Sequence, residues 1–142
     1  KTEEGTFDVS DEQPVPQLPG PDWVLVRVRV AGICGTDLRH WKKCEHDLAG
    51  QIMGHELAGE VAATGEAVTN VIVGDRVVAE TVLGCGECEW CRARRYNICP
   101  DLYEVRTKTV SRAYGQFLVA PASHIYRLPD HVSFEEGALV DT

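Results

Sequence analysis

Four cysteines fall within fifteen residues: Cys85, Cys88, Cys91 and Cys99, in the run GCGECEWCRARRYNICP. Nothing else in the chain restricts its folding as much. Closely spaced cysteines in a bent loop can aim their sulfurs at one point, and four sulfurs make a tetrahedral shell for a soft or borderline metal. The run predicts a bound metal, with zinc as the leading reading. Disulfides are the plain alternative for an even number of cysteines. Two bridges would be cramped in so short a loop, and no signal-peptide pattern argues for an oxidising compartment. An iron–sulfur cluster is the other rival. Its bacterial pattern places the fourth cysteine three residues on and follows it with proline. Pro100 is present, but seven residues separate Cys91 from Cys99. Four thiolates would fill a zinc shell completely, so this zinc is expected to be structural. They would leave a net charge of about −2 on the site. Arg92, Arg94 and Arg95 lie in the same loop and either offset that charge or are solvated.

The rest of the chain has a β texture. Val24, Val26, Val28 and Val30 alternate with Leu25, Arg27 and Arg29, as in a half-buried strand. Pro14, Pro16, Pro19, Gly20 and Pro21 precede it as an extended connector. Further strands are expected at 57–63, 76–81, 117–120 and 124–128, with a turn at Gly74-Asp75 and another at Pro129-Asp130. Helical signal is sparse. Ser133 with Glu136 has capping-box spacing, so a helix is expected to start near Phe134 and occupy 134–142. Short strands with Gly and Pro turns suggest a closed or nearly closed barrel, mainly β.

The chain has 142 residues, enough for one domain with a core, and a formal charge of −8. That charge argues against a nucleic-acid partner, and no apolar run approaches a membrane span. Metal-like cysteine use points to a reducing, cytoplasmic setting. The chain starts at Lys1 rather than methionine and is expected to be trimmed from a longer protein.

Two more segments carry metal-ligand residues: GICGTD with Cys34, and MGHELAGE with His55 and Glu56. Alone, each is a weak signal. Together with the four-cysteine loop they carry a resemblance. Gly54-His55-Glu56, then Gly59, Gly65 and Val68, fit the signature of zinc-containing alcohol dehydrogenases. The chain resembles the chaperonin-10-like (GroES-like) N-terminal catalytic domain of the medium-chain dehydrogenases, over nearly its whole length. Within that family it looks closest to the polyol (sorbitol) and threonine dehydrogenase branch. The implied fold is a partly open β-barrel over 1–142, with a structural zinc loop at 84–100 and without the family's Rossmann domain.

The resemblance implies the site. Cys34 and His55 would be ligands of a catalytic zinc. Glu56 matches the glutamate beside that metal. Asp37 would hydrogen-bond the far nitrogen of His55, fixing its tautomer as outer-sphere carboxylates do. Thr36 matches the hydroxyl residue that takes a proton from the alcohol, a job suited to a group that both donates and accepts. The remaining ligand is a cysteine in one branch and a glutamate in polyol relatives. Here the matching position is Asp141, a carboxylate one methylene shorter, bound directly, through water, or not at all. The family often has histidine where this chain has Arg39, and arginine is no base near neutral pH. His40 or His46 substitutes, or water carries the proton out. Cys44 fits no ligand pattern.

The implied reaction is reversible oxidation of a secondary alcohol (a polyol or amino alcohol) to a ketone. Zinc would act as Lewis acid, and hydride would pass to NAD or NADP. No G-x-G-x-x-G occurs in this chain, so the nicotinamide site is expected in a domain outside it. The resemblance also implies a homodimer or homotetramer for the full-length protein, and two zinc ions per chain. Two alternatives stand beside the enzyme: a non-catalytic module that keeps only the four-cysteine zinc, and a zinc-free reductase of the same superfamily.

Overall fold

The computed structural model describes residues 6–43, 51–102 and 113–140. The first strand, β1 (Trp23–Ala31), buries Val24 and Val26 completely, while Arg27 and Arg29 are exposed. The valine alternation thus puts one face on the core, as period-2 patterning requires. The next helix, α1 (Gly35–Lys42), leads to β2 (Leu57–Thr64), β3 (Arg76–Ala79) and a short α2 (Glu89–Arg92). Then come β4 (Phe117–Pro121), a 3-10 turn at Ala122–His124, β5 (Ile125–Arg127) and α3 (Phe134–Ala138).

All pairings are antiparallel, in the order β4-β1-β2-β3-β5. The two edge strands, β4 and β5, are consecutive in sequence and only three residues apart. A flat sheet would separate them by four strand spacings, roughly 19 Å. One 3-10 turn advances roughly 6 Å. The sheet must therefore curl until its edges nearly meet. The junction is held from both sides: Ala122 N–H donates to Asp22 O (2.8 Å) and Glu80 N–H to His124 O (2.9 Å). Val24, Val26, Leu57, Val61, Val77 and Leu118 fill the interior. The result is a partly open barrel, mainly β, as the turn-rich sequence suggested.

Two signature glycines have a packing reason. A Cβ at Gly59 would press on the Arg27 carbonyl of the paired strand, and one at Gly65 on the Pro21 carbonyl. At Gly74 the reason is conformational. Its φ is +93°, and Asp75 closes the same turn by accepting from Ile72 N–H (3.0 Å).

The expected helix at the end of the chain is real but short. Ser133 and Glu136 cap each other reciprocally (2.8 and 3.1 Å), and Leu139 already forms the C-cap. The larger surprise is α1, eight residues long. Its one buried residue is Asp37, while Leu38 and Trp41 are exposed, so no apolar stripe announces it. Among the described residues no helix is long and apolar enough to cross a membrane.

Candidate metal centres

The Cys85–Cys99 loop leaves β3 through buried Leu83 and closes on itself. Gly84 lies so tightly against Cys91 Sγ and Tyr96 that a side chain there would collide with both. Cys88 caps α2, its sulfur accepting from Cys91 N–H (3.4 Å). Cys85 Sγ accepts from Cys88 N–H, and Cys99 Sγ from Cys85 N–H, each at 3.4 Å. These N–H groups give the thiolates part of the compensation expected of the arginines. Arg95 instead lies over the Trp90 ring, 5.3 Å from its centroid.

All four sulfurs lie within 4.8 Å of one another. Cys85 and Cys91 are 4.0 Å apart, and Cys88 and Cys99 are 3.8 Å apart. Zinc–sulfur bonds of about 2.3 Å in a tetrahedron give a sulfur–sulfur edge of about 3.8 Å. The loop therefore has zinc dimensions. All four are free thiols in this arrangement, with sulfur separations of 3.8 and 4.0 Å rather than a disulfide bond. Backbone N–H groups of Glu87 and Cys88 pull the Cys85 thiol down to about 7. Burial, and then the neighbouring sulfurs, push Cys91 up to about 12. One thiolate forms readily and the next resists, as expected where a cation must balance the set.

The loop is pinned to the barrel. Glu80, just past β3, accepts from Tyr96 O–H (2.7 Å) and Tyr126 O–H (3.2 Å). That bond, then burial, raises the Tyr96 phenol well above its usual range, so it remains a donor. His124 packs edge-on against the same ring, with centroids 5.1 Å apart.

The second group forms where α1 meets the chain entering β2. Cys34 is the N-cap of α1, and His55 and Glu56 immediately precede β2. A ligand atom from each lies within 4.8 Å of the others. Asp37, in the first turn of α1, accepts Cys34 N–H on Oδ2 (3.0 Å). Its Oδ1 faces His55 Nδ1 at 3.8 Å, and Thr36 Oγ1 lies 3.4 Å from His55 Nε2. With Nδ1 turned toward Asp37, Nε2 is the nitrogen available to a metal. Asp37 and Glu56 are each only 2% exposed. Two buried carboxylates and a thiol around one imidazole are costly unless a cation balances them. A thiolate, an imidazole and carboxylates are suitable zinc donors, so the residues present fit that ion.

Of the predicted site residues, the structure brings together Cys34, Thr36, Asp37, His55 and Glu56. His40 follows Thr36 by four positions in α1, which puts the two on one side of the helix. Asp141, Cys44 and His46 lie outside the described residues.

Sequence reasoning missed Tyr114. Its hydroxyl donates to Asp37 Oδ2 (3.0 Å) across 77 positions of chain. Its ring covers Gly54, which has a φ of +87° and no room for a side chain. Burial, then the bond to Asp37 and the charges of Asp37, Glu56 and Cys34, raise the phenol well above its usual range. The field here is negative, and Tyr114 stays protonated in it. No spacing rule links an aromatic before β4 to an aspartate in α1.

Residues 20–130 match the alcohol dehydrogenase GroES-like domain. The chain belongs to that family. Among its curated relatives, sorbitol dehydrogenase of Bacillus subtilis is 39% identical over 90% of this chain and 37% of its own length. D-xylulose reductase A of Aspergillus niger is 36% identical over 92% of this chain and 38% of its own. A solved alcohol dehydrogenase, TADH from Thermus sp. ATN1, superposes with a TM-score of 0.82 at 33% identity, over 95% of this chain and 40% of that one. The GroES-like chain thus sits with the zinc-dependent medium-chain dehydrogenases and their polyol branch. It spans about 40% of the length of these relatives.

Proposed function

We propose that this chain is the catalytic domain of a zinc-dependent, NAD(P)-linked dehydrogenase that interconverts a secondary alcohol of the polyol class and its ketone. The observation that carries the proposal is the convergence of Cys34, His55 and Glu56 beside the Thr36 hydroxyl. A structural module that kept only the four-cysteine zinc would have no need of this second cluster, nor of the Asp37 carboxylate turned to His55.

Zinc bound there would supply Lewis-acid chemistry, favouring the alkoxide in one direction and polarising the carbonyl in the other. The chain's own residues do the rest. Cys34 and His55 would hold the ion, with Asp141 as the further carboxylate. Asp37 fixes the His55 tautomer and ring angle. Glu56, buried beside Cys34 and His55, would offer a carboxylate when ligands exchange. Thr36 takes the alcohol proton on its oxygen and passes its own outward, with His40 one helical turn along as the next acceptor. A nicotinamide ring held outside these residues would accept the hydride. The five cysteines among the described residues are free thiols, which suits a cytoplasmic setting.

The test uses the full-length protein that carries this domain. Sorbitol with NAD or NADP should yield reduced nicotinamide, and D-xylulose should reoxidise it. Full chelation of the Cys34–His55 metal should stop both, and zinc should restore them. Unchanged turnover after complete metal removal would refute the proposal.

A further inference from the structure

We infer that Tyr114 is a positioning residue for the Cys34–His55 site, holding Asp37 so that one carboxylate oxygen stays turned to the His55 ring. This rests on the metal reading of that site proposed above. Asp37 is 2% exposed, so its carboxylate oxygens need donors from the protein. Among the described residues Oδ2 has two, the Cys34 N–H and the Tyr114 O–H, both at 3.0 Å. Oδ1 is left facing His55 Nδ1. With the phenol gone, one donor remains on Oδ2 and the carboxylate can rotate about its Cβ–Cγ bond. The imidazole then loses a fixed partner.

Tyr114 also grips the other half of the site through its main chain. Its N–H donates to Met53 O (2.9 Å), and Ala113 N–H donates to Gly54 O (3.2 Å). Its ring seals Gly54, the residue before His55. One residue thus joins the segment that carries His55 to the helix that carries Cys34 and Asp37. Phenylalanine would preserve the ring and the main-chain bonds and delete only the O–H. The substitution Tyr114→Phe therefore isolates the hydrogen bond to Asp37.

The experiment places cobalt(II) in the Cys34–His55 site of the full-length protein, with zinc kept in the four-cysteine site. Thiolate-to-cobalt and d–d absorption then report affinity and geometry. Tyr114→Phe should lower cobalt affinity about tenfold, the size typical of an outer-sphere loss, and shift the visible bands. In an Asp37→Asn background the same change should have little further effect, because both act through one carboxylate. A purely structural role would lower the melting temperature and leave the bands alone. Unaltered affinity and spectrum in Tyr114→Phe, or full additivity with Asp37→Asn, would overturn the inference while the site reading stands. If the unaltered protein takes no cobalt at Cys34 and His55, the site reading falls and the inference with it.

Discussion

The Cys88→Ser substitution should cost this protein more stability than any other single change considered. Cys88 is both a corner of the sulfur tetrahedron and the N-cap of α2. Between β3 and β4 the described chain has no other strand, and only α2 and the 3-10 turn at Tyr96–Ile98 give it regular structure. Without a metal, the segment is held chiefly by N–H···S contacts and the Glu80–Tyr96 bond. A structural zinc contributes on the order of 10 kcal/mol of apparent folding free energy, as much as most domains possess in total. Losing even part of it should lower the melting temperature by roughly 10 °C or more and remove one zinc per chain. Calorimetry with metal analysis measures both. A Cys88→Ser protein that melted like the unaltered one would show that the loop needs no ion.

The Cys34→Ser substitution should do the reverse. Cys34 caps a helix whose other capping contact comes from Asp37 to its own backbone N–H, and serine keeps that bond. The fold should hold within a few degrees. Turnover of sorbitol or D-xylulose by the full-length protein should fall about a thousandfold or more, because Lewis-acid assistance is worth several kcal/mol at the transition state. Steady-state kinetics beside a melting curve separates the two effects. Activity that survived the change would mean that the chemistry lies elsewhere.

The two substitutions differ because the centres are built differently. One is a single loop that gathers four like side chains in close succession. The other is assembled from α1 and the approach to β2, segments far apart in sequence that the β1–β2 pairing brings together. Legibility in the sequence follows the same division. The clustering of the four cysteines could be read directly, since residue type and spacing are local. So could β1, because a strand with one face in the core must alternate, and Val24 and Val26 do so against Arg27 and Arg29. The Ser133–Glu136 cap was visible for the same local reason.

Helix α1 was not visible. Its job is to bury one carboxylate, Asp37, rather than an apolar face, so periodicity had nothing to register. The Cys34–His55 cluster was readable only through resemblance to a family, because tertiary structure, not spacing, brings Cys34 to His55. Tyr114 was beyond even that. Its role depends on a ring lying over Gly54 and a hydroxyl reaching back to α1, and neither leaves a mark in the residues around it.

Everything proposed here depends on the chain holding two ions with separate jobs. Zinc stoichiometry on the purified protein and on the two serine variants tests it most directly. The unaltered protein should hold about two zinc per chain. A fully folded Cys34→Ser protein should retain the Cys85–Cys99 ion alone. One zinc in the unaltered protein, undiminished by Cys34→Ser and lost with Cys88→Ser, would contradict it and leave a structural module in place of a catalytic domain.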